Sequence, residues 1–176
     1  MVSNELTGAV AGAAGTVALD VATYLDMAIR GRSSSELPAN VAGGLAERLG
    51  IHAQSITGQS SQAQSRRSGL GALLGYATGV GLGVAYGALR PRLGRFVVRV
   101  AGAVLGIAAR AASDVPAVAL GKTDLRSWGV SGWIADLVPH LVYGYVTALC
   151  WEALTRETCS ASATSFHAFL ILSSYK

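Results

Sequence analysis

Asp114 follows Arg110 by four residues, His140 follows Asp136 by four, and both pairs lie inside long apolar stretches; Asp20 lies inside a third. On a helix, residues four apart share a face and can touch. An ionised side chain at the centre of a bilayer costs about 2.5–3.5 kcal/mol on insertion scales, so such groups need partners. Carboxylates and an imidazole placed there could relay protons or hold a cation, since an imidazole ordinarily titrates near neutrality. Asp20, Arg110, Asp114, Asp136 and His140 therefore form a candidate intramembrane polar cluster, its acids and His140 in the half of the membrane nearer the long loop 31–68, Arg110 and Tyr76 closer to the middle, and Asp20 able to share Arg110. Pro116 and Pro139 stand beside these groups, and carbonyls freed by them could line a small cavity. The competing reading is a salt-bridge and hydrogen-bond cluster that fixes helix register.

Other chemistry finds little support. Asp136 and His140 offer two metal ligands at helical spacing, but no third His or Cys completes a site, so no metal or other cofactor is expected. Ser113 beside Asp114 has no base–nucleophile arrangement, and no catalytic residue is assigned. Runs such as Gly79-Val80-Gly81-Leu82-Gly83 lack the preceding strand and the Lys of a phosphate loop. Cys150 and Cys159 form no redox or metal motif.

The elements that carry these residues follow from composition. The chain has 176 residues, 51% hydrophobic and only 14% charged, with a mean hydropathy of +0.43. A soluble domain carries about 25% charged residues. The apolar residues gather into four blocks, 6–29, 69–89, 96–120 and 130–154, each near the roughly 20 residues that cross a bilayer. The fold class expected is an all-α membrane bundle of four transmembrane helices over residues 1–154, followed by a tail, 155–176. Within that tail the apolar run 166–172 is too short to span. Residues 1–5 carry no positive side chain and the first block contains Asp20, so no cleavable signal is expected.

The net charge of +4 does not indicate nucleic acid, because Arg30, Arg32, Arg66, Arg67, Arg90, Arg92 and Arg95 flank the blocks, where they suit lipid headgroups. Lys and Arg divide almost evenly between the two sides, so the positive-inside rule sets no orientation. Trp128, Trp133 and Trp151 fall near block ends, as interfacial anchors do.

Small residues organise the packing. Gly71, Gly75, Gly79, Gly83 and Gly87 recur every four residues along the second block, a glycine zipper offering a smooth face to another helix. Gly8 and Gly12 lead into Thr16, Asp20 and Tyr24; Gly102 and Gly106 lead into Arg110 and Asp114; Gly144 follows Asp136 and His140 and precedes Ala148 and Glu152. These faces should turn inward together. The first and third blocks also align, Gly8, Gly12 and Asp20-Val21 against Gly102, Gly106 and Asp114-Val115. Tyr86-Gly87-Ala88-Leu89 echoes Trp151-Glu152-Ala153-Leu154 more weakly. Two tandem helical hairpins about a pseudo-two-fold along the membrane normal are expected.

Between the first two blocks lies the amphipathic loop, 31–68. Ser33 and Glu36 have capping-box spacing with Pro38 in the first turn, and Leu37, Val41, Leu45 and Leu49 make one apolar stripe on a short helix. Residues 54–68, rich in Ser and Gln, read as a flexible connection.

The second half resembles the YagU type, small bacterial inner-membrane proteins without an established reaction. The resemblance rests on a glycine-rich span ending Ser113-Asp114-Val115-Pro116, a short loop with Trp128, then a span with Asp136, Pro139-His140 and Tyr143-Gly144. It implies a bacterial inner-membrane location and no catalytic residues; the alanine- and arginine-rich composition suits a high-GC bacterium. The function expected is structural or accessory, through glycine-zipper packing within the chain, in a homo-oligomer or in a membrane complex. The alternative is a small proton- or cation-coupled transporter or channel using the polar cluster.

Overall fold

The computed structural model describes residues 3–51, 54–92 and 97–173, with the backbone alone at 55 and 157–173. Arg95, Phe96 and Lys176 lie outside the described residues, as do the side chains of Cys159 and of 166–172. The fold is all-α, with no strand among the described residues: α1 (Asn4–Arg30), α2 (Leu37–Arg48), α3 (Gln54–Thr57), α4 (Ser61–Leu89), α5 (Val98–Ala119) and α6 (Val130–Ser173). Four of these, α1, α4, α5 and α6, contain stretches long and apolar enough to cross a membrane. That is the make-up of a multi-pass membrane protein.

Local chemistry sets the helix ends. The Ser3 hydroxyl accepts from the Leu6 amide at 3.2 Å and starts α1. Gly31 ends it in the left-handed region, φ +62°, and its N–H donates to the Met27 carbonyl at 2.9 Å, a stop that glycine adopts without steric penalty. Ser60 caps α4 by accepting from Ala63 N at 3.2 Å. Residues 54–68 are thus mostly helical, and the second membrane helix begins eight residues before the hydropathy edge at Gly69. Polar Ser and Gln side chains extend a helix readily once a cap satisfies its first amides.

Two antiparallel hairpins, α1/α4 and α5/α6, are joined chiefly through α1 against α6. At the first hairpin, a Cβ on Gly12 would sit 2.9 Å from Gly83 Cα, and one on Gly8 3.0 Å from Gly87 Cα. At the second, a Cβ on Gly144 would sit 2.8 Å from Gly106 Cα, and one on Gly102 3.1 Å from Tyr145 Cα. Backbones in such contact tolerate only hydrogen at these positions. The second hairpin therefore repeats the first. The pseudo-two-fold is not kept, because it would make the α4–α5 junction equal to α1–α6, and α4 and α5 meet only sparsely.

The glycines of α4 do not share one task. Gly79, Gly83 and Gly87 face α1, Gly71 abuts Pro38 of α2, and nothing lies within 4 Å of a Cβ built on Gly75. The expectation that Gly75 packs with the others is corrected. Steps of four residues advance about 40° around a helix, so the row turns through roughly 160° from Gly71 to Gly87.

The amphipathic helix α2 is also turned from its expected face. Its buried side is Ala39, Ala42, Gly43 and Ala46, at i, i+3, i+4 and i+7, while Leu45 and Leu49 are exposed. Small residues let it lie against α4, and Arg48 fastens it by donating to the Ala119 carbonyl at 2.7 Å. Leu45 and Leu49 are left on its outer side, with Leu37 and Val41 half-buried. The capping box does not form: Glu36 is the N-cap without a side-chain bond, and Ser35 accepts from Leu37 N instead.

Candidate intramembrane polar site

The α5/α6 hairpin assembles most of the polar cluster. Arg110 projects from α5 about one turn beyond Gly106, whose missing side chain lets α6 come close at His140 and Leu141. Its guanidinium Nε binds the carboxylate of Asp136 on α6, and its Nη2 lies 3.2 Å from Asp114 Oδ2 one turn along α5. The face of Trp133 covers the guanidinium, with Cζ 4.3 Å from the ring centroid, a cation–π contact that replaces water over the charge. His140 Nδ1 lies 2.7 Å from the Asp136 carbonyl oxygen and 3.5 Å from its carboxylate.

Burial makes this a demanding place for charge. Asp114 is 5% exposed, and its Oδ1 has no hydrogen-bond partner. One arginine thus serves two carboxylates on two helices. That geometry can fix the rotation of α5 against α6, because a guanidinium is a rigid planar fork. It can also store a proton, because one cation does not balance two carboxylates.

Asp20 does not join this cluster, so the expected sharing of Arg110 is corrected. It accepts from Tyr76 Oη at 2.8 Å, across the α1–α4 hairpin. The stripe Gly8, Gly12, Thr16, Asp20 drifts around α1, so Gly8 and Gly12 meet the α4 backbone while Asp20 meets the Tyr76 side chain at the edge of that contact.

The structure adds a second polar contact on the opposite side of the bundle. Arg90, buried at the end of α4, pairs with Glu152 of α6 at 2.6 Å, while Tyr86 meets Trp151 edge-on with centroids 5.9 Å apart. The two segments that echo one another in sequence therefore meet in space. This corrects Arg90 as a headgroup ligand and Trp151 as an interfacial anchor. Other flanking arginines are likewise occupied by the protein: Arg30 and Arg32 both bind Asp26, and Arg67 donates to the carbonyls of Ile56 and Gly58. Trp133, expected as an anchor, belongs to the cluster. Tyr143, 1% exposed, donates to the Gly79 carbonyl at 2.6 Å and ties α6 to α4. Its partner contact at Gly15, where a Cβ would sit 2.9 Å from the Tyr143 carbonyl oxygen, is a further small-residue approach absent from the expected set.

Among the described residues, no three His, Cys, Asp or Glu side chains are grouped to hold a metal. No family model, curated protein or solved structure matches the chain.

Proposed function

We propose that this is a structural or accessory protein of a bacterial inner membrane, built to hold a fixed helical surface rather than to move a solute. Its glycine zippers bring α1 to α4 and α5 to α6, and its polar cluster locks the register of the second hairpin. The observation that carries this reading is Arg110, whose guanidinium pairs with Asp114 and Asp136 and lies under Trp133 at once. A relay group needs an open neighbour to pass its proton to, and Asp20, the next acid at this depth, is engaged elsewhere with Tyr76. The resemblance to the YagU type supports the location.

A second reading is favoured by one atom. The buried Asp114 Oδ1 lacks a partner, and a carboxylate so placed can serve as a proton site. Reconstitution in liposomes under an imposed pH gradient separates the two. The structural reading predicts proton flux equal to that of protein-free liposomes, for wild type and Asp114→Asn alike. A flux in wild type that Asp114→Asn abolishes would establish the relay instead.

A further inference from the structure

The Asp20–Tyr76 pair sits where a folded monomer should not leave it. Asp20 lies three residues past the middle of the 27-residue α1, and Tyr76 one residue past the middle of the 29-residue α4. Both are therefore within roughly 5 Å of the helix midpoints. Asp20 is also five residues, or about 140°, around α1 from Gly15, which faces α6. It is on the side of α1 turned from α6, at the edge of the contact with α4. Around it Tyr24 is 63% exposed, Tyr76 45%, and Val17 and Val21 more than half. A carboxylate accepts about four hydrogen bonds, and a single phenol leaves it short in hydrocarbon. The Asp side chain is too short to reach headgroup water from that depth.

We propose that a second copy of this chain covers this outer face of the α1/α4 hairpin, with Asp20, Tyr24 and Tyr76 as the polar centre of the contact. The patch is self-complementary. A two-fold axis along the membrane normal sets residues of equal depth opposite one another. Side chains on a helix lean towards its N-terminus, so the Tyr24 hydroxyl reaches back to the level of Asp20. Each copy then offers its phenol to the other's carboxylate, making two equivalent hydrogen bonds and covering Val17 and Val21. The inference deepens the structural reading by naming the partner, and it rests on that reading for the lipid-facing placement.

The test uses the full chain with Cys150→Ala and Cys159→Ala, in dilute liposomes, with subunits counted by single-molecule photobleaching. Two bleaching steps are expected, along with oxidative cross-linking of Val21→Cys but not of Val104→Cys on the outer face of α5. Asp20→Leu and Tyr24→Phe should each raise the dimer dissociation constant, Asp20→Leu by roughly tenfold or more, from two lost interhelical bonds. Tyr24→Phe deletes one hydroxyl and guards against misfolding of the Asp20 variant. A single bleaching step, equal cross-linking at both positions, or a dimer indifferent to both substitutions would overturn the proposal. Proton flux from an intact dimer would instead remove the structural reading and leave the interface standing.

Discussion

Gly83→Ala and Gly75→Ala are the same chemical change, four residues apart on one helix, and should act in opposite directions. A Cβ on Gly83 would sit 2.6 Å from Gly12 Cα and 2.8 Å from Gly12 N, both backbone atoms with no rotamer to escape through. To restore ordinary contact, α1 and α4 must separate by about 1 Å along several turns. Overpacking of this kind costs about 1–3 kcal/mol, and the neighbouring contacts at Gly8 and Gly87 loosen with it. Gly75 has nothing within 4 Å of its built Cβ, so alanine there adds only helix propensity, up to about 1 kcal/mol of stabilisation. Reversible unfolding in mixed micelles, following helix content against the mole fraction of denaturing detergent, measures both. The expected separation between the variants is about 1–4 kcal/mol. Equal stabilities, or a Gly75→Ala loss as large as that of Gly83→Ala, would refute the division of the glycine row.

Three further outcomes follow from the same geometry. Arg90 and Glu152 should show a coupling energy of about 1–3 kcal/mol in a double-mutant cycle of Arg90→Met and Glu152→Gln, since both are largely shielded and 2.6 Å apart. Tyr143→Phe should destabilise by about 1 kcal/mol in the same unfolding assay, through loss of the bond to the Gly79 carbonyl. Gly15→Leu should weaken the α1–α6 junction and cost about 3 kcal/mol or more, because the added side chain meets the Tyr143 carbonyl and the Thr147 side chain.

Hydropathy alone located all four membrane helices, because about 20 apolar residues in a row have few other uses. The pairing Arg110–Asp114 was legible from spacing, as were the close contacts of Gly8, Gly12, Gly102, Gly106 and Gly144. What spacing could not supply was azimuth. A row of glycines at i, i+4 looks like one face on paper, yet it precesses, and so Gly71 meets α2 while Gly75 meets nothing. The same drift carried Asp20 out of the cluster. Partners between helices were equally hidden: Arg90 and Glu152 are 62 residues apart, and an arginine at a span end has the same sequence signature whether it meets a headgroup or a buried carboxylate. For α2 the error was one of emphasis. Leucines marked its apolar stripe, but small residues chose the face that could approach α4.

The claim that the polar cluster is scaffolding rests on Arg110 and can be tested there. Unit charges 3.2 Å apart, the Arg110–Asp114 separation, attract by about 5 kcal/mol at an effective dielectric constant near 20, before the desolvation that opposes it. Removing one partner strands the others, whereas replacing all of them by apolar groups strands none. The decisive measurement is the unfolding free energy of Arg110→Met beside that of the triple variant Arg110→Met, Asp114→Leu, Asp136→Leu. The account predicts a loss of about 3 kcal/mol for the single change and a triple variant within about 1 kcal/mol of wild type. A single variant as stable as wild type, or a triple variant as damaged as the single, would contradict it.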